Sequence, residues 1–444
     1  MTQIVSITDA GSQKEKAAAE RQKSWMLRAW ILSGLFFMAL PGTLLGFSNL
    51  MAISAHHGAA GMSPAWMEGH GHAQMFGWIG SFILGIGFYS QPTRPRHTIR
   101  IPFICWTAWS TGVLMRWYAN IYQFHWRPLL AISASLEAIA MLLFLAAASH
   151  HKREKSPAGQ AKQRMPAWMI AVMVGTVGMT AGVLFNLVEC VRLAISGATP
   201  SFPHSLDQRY LLTLGWGFVV PMVWGFSARW LPAFLGLRDV RARLFGSVLA
   251  LAAAAVITGV SGYIRPATVM LALSAAIVPF SLRLTARSVR ETKIRGVHST
   301  YTVFIRIAYA WLAVASAMSI WAAFQDVHGG IWGASRHALT VGFAATMVFS
   351  IGPRILPNFC GVMRIFSTRL MLASLLLLQF GCTLRVSSEP LAYEGLLPFA
   401  WRVLPVSGMF ELAGVLVFAL NLGVTLVRSA SPAPLTLPLQ TSAI

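Results

Sequence analysis

Apolar residues fill the chain in blocks of about twenty, the length a single helix needs to cross a bilayer's hydrocarbon core, and short polar intervals separate the blocks. Twelve such spans can be drawn, near 27–53, 69–92, 101–121, 128–149, 167–190, 210–235, 244–262, 266–285, 302–325, 337–360, 370–388 and 403–427. Basic residues collect in every second interval. Arg94, Arg96 and Arg100 follow the second span, His150 to Lys155 the fourth, and Arg238, Arg241 and Arg243 the sixth. Arg287, Arg290, Lys293 and Arg295 follow the eighth, and Arg364 and Arg369 the tenth, whereas Arg127, Arg265 and Arg402 stand nearly alone in the other loops. Excess Lys and Arg mark the cytoplasmic side, so both termini and the linker 150–166 are expected there. Residues 1–26, with Lys14, Lys16, Arg21 and Lys23, are expected as a disordered cytoplasmic tail, since a signal peptide has a shorter charged region and a shorter apolar core. Residues 27–427 then form one membrane domain, and 428–444 a second cytoplasmic tail.

Composition agrees with the pattern. The 444 residues are 56% hydrophobic and 11% charged, against about a quarter charged in soluble chains. A net charge of +21 invites a nucleic-acid reading, but the charges sit in loops and form no basic stripe interleaved with aromatics, so a nucleic-acid partner is not expected. Cys105, Cys190, Cys360 and Cys382 lie in or beside apolar spans without a C-x-x-C pair, which excludes a thiolate zinc site and a disulfide framework.

An internal repeat organises the spans. RHALTVGFAATMVFSIGPRILPNFCG (336–361) aligns without gaps on LLTLGWGFVVPMVWGFSARWLPAFLG (211–236), sharing Gly-Phe, Met-Val and a closing R-x-L-P-x-F-x-G. His72 lies twenty residues before Pro92, as His337 lies twenty before Pro357, and Gly77 and Gly87 fall on Gly342 and Gly352. The second copy has Leu212 at the histidine position. The copies are spans 2, 6 and 10, a period of four helices, which predicts three four-helix arcs with pseudo-threefold symmetry.

The repeat gives the histidines of EGHGHAQMFGWIGSFILGIGFY (68–89) a context. A buried imidazole without a partner costs a few kcal/mol and persists where it hydrogen-bonds, meets water or binds a metal. An interfacial histidine in headgroup water is the plain alternative. His72 and His337 occupy equivalent positions that pseudo-symmetry turns toward the interior, and Gly77, Gly80, Gly85 and Gly87 leave one side of span 2 bare for a flat group or another helix. A haem between two helices needs opposed imidazoles and small residues around its ring, so metal or haem binding is the reading followed here. Glu137, Glu189 and Glu411 fall inside spans, where carboxylates are functional candidates, as partners of Arg116, Arg192 or a metal, for proton conduction, or as structural hydrogen-bond partners. Arg336 beside His337 suits haem propionates. His328 and His204, in outer loops, are either copper ligands or solvated, and Arg229 and Arg354 anchor the opposite helix ends.

On HGHAQMFGW (70–78) and RHALTVGFAATM (336–347) the chain resembles the NnrS family of haem- and copper-containing membrane proteins, and more widely subunit I of the haem-copper oxidases. The likeness runs over 27–427 and implies an all-α integral membrane protein of twelve transmembrane helices in three arcs. It further implies a bacterial inner-membrane location, haem and/or copper as cofactors, a nitric oxide or redox partner, and a role in nitric oxide response or denitrification. In the superfamily's cbb-type branch the helix-2 haem ligand stands six residues before a Phe-Gly-aromatic triplet. That register selects His70, whereas the internal repeat selects His72, and both are carried forward with His337. Span 7 has no histidine and the span-6 position is Leu212. The tri-histidine copper centre of the oxidases is therefore not expected, and no catalytic residue is assigned. A transporter shares repeats and buried carboxylates, but carrier sites lie near the midplane, while these histidines lie near the outer ends of three parallel repeats. A cofactor-free assembly protein would be colourless.

Overall fold

The computed structural model describes residues 7–59, 62–91, 100–153, 165–294 and 296–428, and among these there are helices and loops but no strand. Helix α1 runs as Ile7–Phe37, a π-helical turn Met38–Leu44, then Leu45–His56. Helix α2 repeats that plan as Pro64–His72, π-helical Ala73–Gly80 and Ser81–Tyr89. Three unbroken helices follow: α3 Arg100–Tyr122, α4 Trp126–Arg153 and α5 Ala167–Ser196. Helix α6 is His204–Leu212, π-helical Thr213–Val219 and Val220–Phe234, and α7 Ala242–Val260, α8 Ile264–Ser281 and α9 Tyr301–Gln325 come next. Helix α10 is Gly330–His337, π-helical Ala338–Ala345 and Thr346–Phe359, ahead of α11 Thr368–Tyr393 and α12 Ala400–Arg428.

Ten of these rods are long and apolar enough to cross a membrane, so the chain is an all-α, multi-pass membrane protein. The two that fall short are α2 and α3. They hold Glu68, His70 and His72 on one and Arg116 and Asn120 on the other, polar groups that reduce the hydropathy of any window drawn over them. Helix starts have local causes. Pro64 stands at the first turn of α2, where its missing N–H costs nothing, and the Ser367 hydroxyl accepts from the Leu370 amide at 3.2 Å to cap α11.

One expectation changes at the N-terminus. Helix α1 begins at Ile7, inside the segment expected to be a disordered tail, because QKEKAAAERQK (13–23) consists of strong helix formers. Of the linker 150–166, residues 150–153 end α4 and 165–166 lead into α5. Residues 154–164, like 429–444 of the expected C-terminal tail and Pro92 of the repeat, lie outside the described residues.

The π-helical turns follow the repeat. They begin at Ala73, Thr213 and Ala338, each directly after the aligned positions His72, Leu212 and His337. A π turn holds one residue more than the α-helix around it and recurs at functional sites. The fourth, in α1, contains Pro41, whose absent N–H breaks the α ladder.

Each rod packs on the next along the chain, and α12 returns to α1, closing a ring. The repeat helices meet inside it. Phe76 of α2 lies 6.5 Å from Tyr210 of α6, Trp78 lies 6.3 Å from Phe349 of α10, and Gly215 of α6 faces Leu339 of α10. The glycines of α2 do not leave a bare face for a flat ligand. A Cβ on Gly77 would meet Phe37 at 2.7 Å, on Gly80 Trp109 at 2.7 Å, on Gly85 Trp30 at 2.5 Å and on Gly87 Phe144 at 2.7 Å. Aromatic rings of α1, α3 and α4 fill the hollows, as small residues in membrane helices allow.

Candidate functional site

His70 lies on α2 and His337 on α10. The ring nitrogen Nδ1 of His70 lies 2.8 Å from the Gly42 carbonyl, in the π turn of α1. The Nδ1 of His337 lies 3.0 Å from the Gly333 carbonyl, one helical turn back. A carbonyl only accepts, so each Nδ1 carries the proton and donates it, which leaves Nε2 of each ring with a free lone pair. That is the tautomer in which an imidazole binds iron or another metal through Nε2, with a carbonyl as its orienting partner. Both rings are half-buried, and His70 lies within electrostatic reach of His337.

Glycine makes these seats. A Cβ at Gly46 would come within 2.6 Å of Cε1 and 2.7 Å of Nδ1 of His70. At Gly333, a Cβ would run into the Glu389 carboxylate. Gln74 stitches the π turns of α1 and α2 together, its amide donating to Thr43 Oγ1 at 2.9 Å and to the Met38 carbonyl at 3.3 Å. The turn that presents the Gly42 carbonyl is thus held to the helix that bears His70.

Charged groups surround the pair. Arg385 of α11 acts electrostatically on both His70 and His337, and its Nη2 donates to Glu389 Oε1 at 2.8 Å. Arg385 is 4% and Glu389 4% exposed. Neither Nε nor Nη1 of Arg385 has a partner within the protein, nor do Oε2 of Glu389, Oε1 of Glu411 or Nη2 of Arg336. An orphaned buried polar group costs about 1–3 kcal/mol, and a charged one more. Two guanidiniums with unused N–H groups beside two imidazoles with unused Nε2 atoms form a donor set that fits haem: the rings for the metal, and Arg336 and Arg385 for its carboxylates.

The other candidates lie elsewhere. His72, though only two residues from His70, is held through Nε2 by Glu137 Oε1 of α4 at 2.8 Å and stacks on Phe76. His328 sits in the loop before α10, its Nδ1 3.9 Å from Glu394 Oε1 and its side chain 59% exposed. His204 approaches Gln208 at 3.5 Å. Arg229 and Arg354 lie over the rings of Trp168 and Phe234, and Glu189 pairs with Arg192 at 3.7 Å. Among the described residues no three His, Cys, Asp or Glu side chains gather as one metal site.

Arg385 and Glu389 escaped the sequence reading. Their signal was present: an arginine and a glutamate four residues apart at the end of an apolar run form an i,i+4 pair, and ionisable groups there are functional candidates. Glu68 also went unassigned. It pairs with Arg116, Oε2 to Nη2 at 2.8 Å, a partnership across two helices that linear spacing does not reveal.

A family model described as a domain of unknown function, DUF8744, matches residues 237–427. The matched stretch holds α7 to α12, and with them Arg336, His337, Arg385 and Glu389, while His70 lies outside it. A search of curated proteins found no match.

Proposed function

We propose that this chain is a haem-binding protein of the bacterial inner membrane, built as twelve spans in three arcs, in which His70 and His337 ligate the iron. The observation that carries the reading is the shared state of the two rings. Each is anchored through Nδ1 to a backbone carbonyl and keeps Nε2 uncommitted, on helices that the repeat relates to one another. Support for the arc plan comes from the closed ring of neighbours and from three π turns in one repeat register. The cytoplasmic placement of both termini rests on the Lys/Arg asymmetry of the loops.

In this reading His70 rather than His72 is the α2 ligand, because Nε2 of His72 is bound to Glu137. Arg336 and Arg385 hold the propionates, and Glu389 keeps Arg385 in place. When bound, haem supplies one-electron redox chemistry, tuned by its axial ligands and their hydrogen bonds. The Gly42 and Gly333 carbonyls orient the imidazoles and raise their basicity. Copper is not assigned to His72 or His328. The NnrS-type role, in nitric oxide response or denitrification, follows the resemblance of HGHAQMFGW and RHALTVGFAATM.

The test is the visible spectrum of detergent-purified protein, oxidised and reduced, with metal analysis. The expected result is a low-spin bis-histidine haem spectrum that His70→Ala and His337→Ala abolish and His72→Ala keeps. A colourless, metal-free wild-type protein after expression with ample haem defeats the reading.

A further inference from the structure

A second buried polar cluster lies between α2, α3, α4, α5 and α6, apart from the His70–His337 pair. Its members form a chain. His72 Nε2 meets Glu137 Oε1 at 2.8 Å, and Asn186 Nδ2 donates to Glu137 Oε2 at 2.9 Å. Cys190 donates to Asn186 Oδ1 at 3.4 Å, and Arg116 Nη1 contacts the Cys190 sulfur. Arg116 Nη2 reaches Glu68 Oε2 at 2.8 Å, and the Phe202 amide donates to Glu68 Oε1. Phe202 belongs to the loop before α6, so the chain climbs from the middle of α4 to the end of the bundle where α2 and α6 begin. Exposure follows the climb: the side chain of Glu137 is 0% exposed, that of Arg116 2% and that of Glu68 13%.

Three polar atoms of this cluster have no partner within the protein: Tyr210 Oη, Arg116 Nε and His72 Nδ1. Their residues are 6%, 1% and 5% exposed. Tyr210 lies within electrostatic range of Arg116, Glu137, Cys190 and Glu68, and its ring packs on Phe185 and Phe202. Arg116 lies over the same Phe202 ring at 5.0 Å. The hydroxyl and the guanidinium N–H thus share one neighbourhood, with the carboxylate oxygens already taken by other donors.

We infer that these groups enclose a small hydrated site, a few internal waters that reach the outer end of the bundle past Glu68. Buried waters typically make two to four hydrogen bonds to groups that would otherwise go unsatisfied. A tyrosine hydroxyl, an arginine Nε–H and an imidazole nitrogen form such a set. Leaving all three dry in a membrane interior would cost several kcal/mol. Water binding explains why polar groups of five helices are gathered where lipid-like packing would be cheaper. The site stands whether or not His70 and His337 hold haem.

Cys190 is a native reporter. Ag+ is small enough to follow a water-lined route, and it binds thiol sulfur with release of the thiol proton, as soft thiolates prefer. Cys105 is equally buried at 0% but donates to the Ala140 carbonyl at 3.1 Å, outside the cluster. Full-length protein in detergent is treated with Ag+, washed, denatured and exposed to N-ethylmaleimide, and the labelled cysteines are read by mass spectrometry. The expected result is that Ag+ shields Cys190 and leaves Cys105 open to the maleimide. Equal labelling of the two overturns the inference. Tyr210→Phe gives a second reading. Loss of a hydroxyl held by water lowers the melting temperature, whereas loss of a dry, unpartnered hydroxyl raises it, and a rise overturns the inference independently.

Discussion

His70 and His72 sit two residues apart on one helix and have opposite chemistry. His70 donates through Nδ1 to the Gly42 carbonyl and keeps Nε2 free. His72 spends Nε2 on the Glu137 carboxylate, inside a network that ties four helices. Residues two apart on a helix point in different directions. One ring therefore turns toward α1 and α10, and the other toward α4. The lesson is that a histidine's role in a membrane helix is set by which of its nitrogens the neighbours have claimed.

The largest effect, in spectrum and stability together, tests the free pair. His337→Ala should remove the proposed haem while the protein still inserts, since a methyl leaves α10 more apolar. The loss of a ligand held at 100 to 1,000 times its Kd should cost about 3–4 kcal/mol of apparent stability by mass action, seen as a lower melting temperature. An unchanged spectrum in both His337→Ala and His70→Ala would erase the contrast between His70 and His72.

The network side should show a stability effect of similar size without a spectral one. Glu68→Ala leaves the Arg116 guanidinium buried without its carboxylate, and breaking a buried pair in this way costs about 3–5 kcal/mol. Thermal melting in detergent measures it, and haem per folded protein should stay at the wild-type value. Loss of haem in step with folded protein would merge the two regions into one.

Gly46→Ala sharpens the comparison from the His70 side. Its methyl would stand 2.6 Å from the ring, and overpacking of this kind costs about 1–3 kcal/mol. The expected outcome is an altered haem spectrum from a displaced ligand, with His72 and its network unaffected. The smallest effect belongs to His328→Ala, which removes only a long, exposed contact to Glu394 and should change stability by about 0–1 kcal/mol, with the spectrum intact.

Much of this architecture was legible in the chain. Apolar runs located the helices, and the repeat located the π turns without naming them, because Ala73, Thr213 and Ala338 all follow the aligned position. The difference in hydrogen bonding between His70 and His72 was not legible. It depends on the Gly42 carbonyl of another helix and on Glu137 two helices further on, neither of which any spacing along α2 encodes. The glycine stripe left two occupants open, a flat group or another helix, for a related reason. A missing side chain marks a hollow but not its occupant, and here the occupants are Phe37, Trp109, Trp30 and Phe144. Arg385 and Glu389 were readable as an i,i+4 pair, yet the nearness of Arg385 to both imidazoles exists only once α11 packs on α10.

The π turns carry a consequence for how such a helix can vary. An α-helix advances about 100° per residue, so one surplus residue sets the rotational phase of the histidine-bearing segment independently of the segment beyond it. Deleting a single residue within Ala73–Gly80 would either restore α geometry, with His70 and His72 still in phase with Phe82 and Phe88, or, with the wide turn kept, swing them by about 100° around the axis. Substitutions leave the residue count of the turn intact, whereas an indel must remove the turn or reset the phase. In α2, α6 and α10 the length of the turn is therefore a setting as exacting as any side chain, and one that a substitution scan does not touch.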